Sequence, residues 1–180
     1  MSSLTAVELT RELIRFNTVN PPGNEHACAV YVAGILDKAG LRVEFQSMSP
    51  GRSNLIAMLD GKGTKPPICL SGHLDTVPLG TAPWRHDPFE GHVADGKIHG
   101  RGASDMKSGV AAIVAAVAGL LVGVAAARVL ARRWRHTLVP VVLGRARPAS
   151  GASCASTRQA VEAGALQRIA IPVIQQRSQP

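Results

Sequence analysis

The 180-residue chain has few cysteines and no internal repeat, and its last third is almost without acid. Its three cysteines, Cys28, Cys69 and Cys154, are too few and too scattered for a disulfide framework. An odd count without short spacing implies free thiols and a reducing compartment. Cys28 and Cys69 stand in apolar stretches, which marks them as core residues, and no Cys–His spacing supports thiol catalysis. Residues 1–10 carry no basic start followed by an apolar core, so no secretory leader is expected and the cytoplasm is the default.

The missing acid explains the net charge. The chain is 46% hydrophobic and 18% charged, ordinary for a globular protein, yet carries +8. Residues 1–117 hold 11 Lys+Arg against 11 Asp+Glu, so they are neutral. Residues 118–180 hold nine Arg and one acid, Glu162, with 13 Ala and no Lys, Asp, Asn, Phe, Tyr or Met. This bias is what a GC-rich gene gives when read out of frame. The expected organisation is a functional part over 1–117 and an unrelated basic tail over 118–180, frameshifted near 117–121 or disordered. Arg128, Arg132, Arg133 and Arg135 can attract anionic lipid or nucleic acid without specificity. With Trp134 as the tail's one aromatic, neither a membrane nor a specific nucleic-acid partner is expected. The uncharged run 109–127 is 19 residues long and just reaches a bilayer's span. It is mostly Ala, Gly and Val, which favours a buried core helix.

Apolar periodicity predicts a first helix over 4–16, stopped by the paired prolines of 17–23. A second helix is expected over 25–39, ending at Gly40. Strands follow at 41–46 and 54–59, with a turn at Asp60–Gly61 and a loop over 62–67. The short apolar segment 68–71 reads as a strand buried on both faces. Residues 90–100 read as a hairpin around Asp95–Gly96, and a helix begins near Asp105. This alternation points to a layered α/β fold.

Two constellations carry chemistry. In Ser71-Gly72-His73-Leu74-Asp75-Thr76-Val77, His73 and Asp75 are two apart and point the same way in extended backbone. A carboxylate can then accept one ring N–H and leave the other nitrogen for a metal; a structural Asp–His bond at a strand end is the alternative. In Gly100-Arg101-Gly102-Ala103-Ser104-Asp105-Met106-Lys107-Ser108-Gly109, Asp105 falls at the mouth of a helix, where N-capping is the simple explanation. A phosphate cradle fits less well, because the remaining glycine spacing is missing. His86, His92 and His99, six and seven apart, are too loosely spaced for a helical metal pair and read as loop and hairpin residues.

Taken in order, NPPGNE, SGHLDTVP, WRHDPFEG and DGKIHGRGASDMKSG resemble the acetylornithine deacetylase and succinyl-diaminopimelate desuccinylase family, dinuclear metallohydrolases related to aminoacylases and carboxypeptidases. The resemblance covers roughly residues 5–117 and implies part of a layered α/β catalytic domain. It implies His73 as a metal ligand, Asp75 as the residue that orients it, and Asp105 as the bridge between two metals. The implied cofactor is Zn2+, possibly Co2+, two per complete site. The implied reaction is metal-assisted hydrolysis of the amide bond of an N-acyl amino acid or peptide, with a glutamate moving the proton. The family next requires a Glu-Glu pair, a further acidic ligand, a distant His and a lid domain that carries the dimer contacts. The tail offers Glu162 and His136. An N-terminal, impaired piece of such an enzyme is therefore expected, with an inactive remnant or a basic membrane- or nucleic-acid-associated protein as alternatives.

Overall fold

A computed structural model of the chain describes residues 5–61, 66, 68–137 and 169–173, with the backbone alone described for 131–137 and 169–173. Thr5 starts the first helix, α1 (Ala6–Ile14). Its hydroxyl accepts from the Glu8 N–H at 3.2 Å, and the Glu8 carboxylate accepts from the Thr5 N–H at 2.8 Å. This reciprocal cap satisfies two donors that a helix start otherwise leaves open. Leu9, Leu13 and Ile14 form the buried stripe, while Val7 is exposed.

Helix α2 (His26–Lys38) buries Cys28, Ala29, Val32, Ala33 and Leu36. Strands β1 (Arg42–Ser49) and β2 (Arg52–Leu59) form an antiparallel hairpin that pairs Arg42 with Met58 and Gln46 with Asn54. In β2, Ser53, Leu55 and Ala57 point to the helices and are buried; the residues between them are half-buried. Beyond β2 lie β3 (Ile68–Cys69), the short hairpin of β4 (His92–Ala94) and β5 (Lys97–His99), and α3 (Ser108–Thr137). The fourth strand of the main sheet, β6 (Ile169–Val173), lies between β2 and β3, antiparallel to the first and parallel to the second. The sheet order is β1-β2-β6-β3, and the fold is α/β.

Four expectations need correction. β3 is two residues long, and Ile68 and Cys69 are both exposed. The strand ends the sheet, and α2 packs over β1 and β2, not over it. Cys28 is a core residue as expected; Cys69 is not. Helix α3 begins at Ser108, since Asp105 and Met106 have non-helical backbone angles. Finally, the run expected as a buried core helix is buried only in its first half. Val110, Ala111, Val114 and Val117 join the core, whereas Leu120, Val122, Val129 and Leu130 are more than half exposed. By length and composition Ala103–Leu130 is apolar enough to cross a membrane, and 22% of its most apolar stretch is buried.

Helix α3 passes through residue 117 without a break. Most of the stretch read as a basic tail, including Cys154, Glu162 and the Arg145–Arg168 arginines, lies outside the described residues, as do the side chains of Arg132, Arg133, Arg135 and His136.

Candidate functional site

The chain leaving α1 runs beside residues 74–76 and fixes them. Thr18 donates its hydroxyl to the Leu74 carbonyl at 2.6 Å. The Thr76 N–H donates to Thr18 O at 2.9 Å, and the Asn20 N–H to Thr76 O at 2.8 Å. Val19 and Thr76 thereby form a one-residue parallel bridge. His73 and Asp75 are thus held from a segment more than fifty residues away in sequence.

The second wall is the turn Ala103–Lys107. Gly102 precedes it at φ 81°, where a Cβ would lie 2.6 Å from Thr76 Cγ2. Only glycine lets the two walls approach so closely. Lys107, fully buried, donates to the Phe16 carbonyl at 2.7 Å and ties this turn to the end of α1. Burial lowers its ammonium to about 8.

Between these walls His73 faces both acids. Its Nδ1 donates to the Asp75 carbonyl oxygen at 3.0 Å. The Asp75 carboxylate Oδ1 lies 3.2 Å from the same nitrogen, off the hydrogen-bond line and otherwise without a partner. Asp75 Oδ2 accepts from Asn20 Nδ2 at 3.1 Å. On the other edge of the ring, Nε2 is 2.9 Å from Asp105 Oδ1. His73 and Asp75 are largely buried, with 18% and 10% of their side chains exposed, whereas Asp105 is 82% exposed. One imidazole is therefore fixed at Nδ1 and presents Nε2 to a free carboxylate. Asp105 makes no capping bond to α3, so the N-cap explanation fails.

The donor set is chemically suited to a zinc-type cation, which takes imidazole nitrogen and carboxylate oxygen. Its number falls short: Asp75 lies on the wrong side of the ring to be a ligand, which leaves His73 and Asp105. Among the described residues no three His, Cys, Asp or Glu side chains are grouped to hold a metal.

The site opens into a cavity of about 580 Å³ whose lining includes Asn20, His73, Asp75, Thr76, His99, Arg101 and Asp105. Two of these, Asn20 and Arg101, stand in motifs already quoted but carry no individual signal in the sequence; Asn20 meets Asp75 only through the fold. His86, His92 and His99 do meet. His92 and His99 are cross-strand partners in the hairpin. The His86 ring stacks on His92 at 4.0 Å and lies 5.2 Å from His99. They are loop and hairpin residues, as expected, and the hairpin brings residues seven apart face to face.

Comparison with known proteins gives the class first. Residues 69–131 match the profile of peptidase family M20/M25/M40, beyond residue 117, where the motif resemblance was expected to end. Among solved structures, human carnosine dipeptidase 1 matches with a TM-score of 0.58 at 22% identity, over 93% of this chain and 31% of that one. An M20 family metallo-carboxypeptidase from Sulfolobus solfataricus matches with a TM-score of 0.56 at 22% identity, over 64% and 27%. These two establish the likeness of fold.

The particular relatives are more specific. The chain is 39% identical over 119 residues to a succinyl-diaminopimelate desuccinylase of Wolbachia pipientis subsp. Culex pipiens, covering 65% of this chain and 29% of that protein. It is 45% identical over 113 residues to one from Methylobacterium sp. (strain 4-46), covering 60% and 28%. The N-terminal part of the chain thus resembles the M20 metallohydrolases, desuccinylases in particular. The chain spans under a third of the length of these curated relatives.

Proposed function

We propose that this chain carries the metal-anchoring part of a hydrolase that cleaves the amide bond of N-acyl amino acids, of the desuccinylase or deacetylase type. The observation that carries the reading is the His73 ring, held at Nδ1 by Asp75 and offering Nε2 to the exposed Asp105 carboxylate. In this reading His73 and Asp105 would hold a divalent cation, Zn2+ or Co2+, and Asp105 would be the carboxylate open to a second one. A bound cation of this kind polarises a carbonyl and acidifies water. Asp75 keeps the proton on Nδ1 and the ring in orientation, and Asn20 holds Asp75. The free thiols of Cys28 and Cys69 suit a reducing cytoplasm.

We further propose that hydrolysis by this chain alone is impaired. No glutamate lines the cavity among the described residues, so a carboxylate suited to take the water proton is not at hand. The acid-poor composition beyond residue 117 sets that stretch apart in sequence, while α3 and the family match run on through it.

Both statements are tested on the purified full chain with zinc present. Binding of N-succinyl-L,L-diaminopimelate or N-acetylornithine is expected to depend on His73, while release of free amine is no faster than with His73→Ala. Substrate binding that survives His73→Ala contradicts the site. Zinc-dependent release well above that control contradicts the impairment.

A further inference from the structure

We propose that Arg101 is the anion-binding residue of this cavity and takes a carboxylate group of the small acyl amino acid. This rests on the functional reading above and deepens it, since it names what holds the substrate away from the scissile bond.

Arg101 is the one Lys or Arg among the residues lining the cavity. The other charged walls are Asp75 and Asp105, and both are engaged elsewhere, with His73 and Asn20. The guanidinium lies over the face of Trp84, with Cζ 5.0 Å from the ring centroid. Trp84 is itself fixed, its indole N–H donating to the Leu79 carbonyl at 3.2 Å. The Arg101 backbone is anchored too, its N–H donating to Pro88 O at 2.7 Å. The side chain is therefore held at root and head before any ligand arrives.

What is left over is the edge of the fork. Stacking on an aromatic ring uses the face of the guanidinium and leaves its in-plane N–H groups free. Nε is sealed from solvent, so the groups left to meet a ligand are those on Nη1 and Nη2. The partner with matching geometry is a carboxylate, whose two oxygens meet two N–H groups in one plane. The cavity, about 580 Å³, is of the size that encloses small ligands. His73, Asp105 and Arg101 line the same cavity, so an acyl amino acid can present its amide to the first two and its carboxylate to the third.

The test uses succinate as the probe, on the full chain with zinc supplied. The Arg101 Nε–Hε signal is followed by 1H–15N NMR, alongside succinate affinity, zinc affinity and melting temperature. Succinate is expected to shift that signal saturably. Arg101→Gln is expected to weaken succinate binding about tenfold or more, and Arg101→Lys less, because it keeps the charge and loses the fork. Zinc affinity is expected to stay constant in both. Saturable succinate binding that leaves the Arg101 signal unmoved overturns the proposal, as does affinity within about twofold of the parent in Arg101→Gln, or no succinate binding at all. The signal of the parent chain reads the contact directly, so the result stands even if a variant folds poorly. Zinc that fails to bind while succinate still shifts Arg101 overturns the hydrolase reading and not the anchor; zinc binding with a silent Arg101 overturns the anchor alone.

Discussion

The root of α3 and the stretch that follows it are both apolar and have opposite surroundings. Val110, Ala111, Val114 and Val117 are 5% exposed or less, whereas Leu120, Val122, Val129 and Leu130 are 55% exposed or more. The difference is one of length. Thirty residues of α3 make a rod of about 45 Å, against about 14 Å for the nine residues of α1 and about 20 Å for the thirteen of α2. The shorter helices cover the root of α3 and end. Apolar composition makes a helix; the neighbours decide whether it is core. The root that they cover is also the end that carries the Asp105 wall of the site.

The sharpest way to break this comparison is to place the same charge in each half. Val114→Asp buries an unpaired carboxylate and is expected to cost about 4 kcal/mol or more. Val122→Asp, on the uncovered half, is expected to stay within about 0.5 kcal/mol of the parent. Denaturant unfolding measures both, and equal losses would show that the far half is covered too. Next in size is Gly102→Ala. A Cβ there meets Thr76 Cγ2 at 2.6 Å with φ at 81°. The expected loss is about 1–3 kcal/mol, while Gly119→Ala on α3, with open space around it, is expected to be neutral or slightly stabilising.

A pair of titrations sharpens the contrast between the buried root and the exposed rim. Burial lowers Lys107 to about 8, whereas the unfolded amine keeps its proton up to about 10.5. Above pH 8 the unfolded state therefore binds more protons, and stability rises with pH. The rise is expected between pH 8 and 9 and is absent in Lys107→Met. Above 9 it is opposed by the Cys28 thiol, which burial pushes up to about 12 and keeps protonated in the fold. A flat profile in the parent would show that Lys107 is not buried as a cation. The smallest effect belongs to His86 at the rim. Desolvation lowers it first, then the charges of His92, His99 and Arg85. Its unfolded form takes up a proton first as pH falls, so a slight loss of stability is expected below about pH 6.5, measured by melting temperature and reduced in His86→Asn.

The helices α1 and α2, the strands β1 and β2 and the β4–β5 turn at Asp95–Gly96 were legible because each carries local signals: a period, a stop, a glycine. What was not legible depends on partners distant in sequence. Ile68 and Cys69 read as doubly buried because apolar runs usually are; their exposure follows from lying at the end of the sheet. The strand formed by Ile169–Val173 sits in a stretch whose composition gave no hint of pairing. The same holds for the site. His73, Asp75 and Asp105 were found from motifs, and the fold brings them into one cavity. Asn20 and Arg101 were passed over, because one reaches Asp75 across fifty-five residues and the other acquires meaning only from Trp84 beneath it.

The central claim is that His73 and Asp105 act as one metal-anchoring pair. Calorimetric zinc titration of the parent chain, His73→Ala and Asp105→Asn tests it most directly. The account predicts weak binding in the parent, because two protein donors are fewer than a closed zinc site uses, and loss of that binding in each variant. Zinc affinity unchanged in both variants would contradict it.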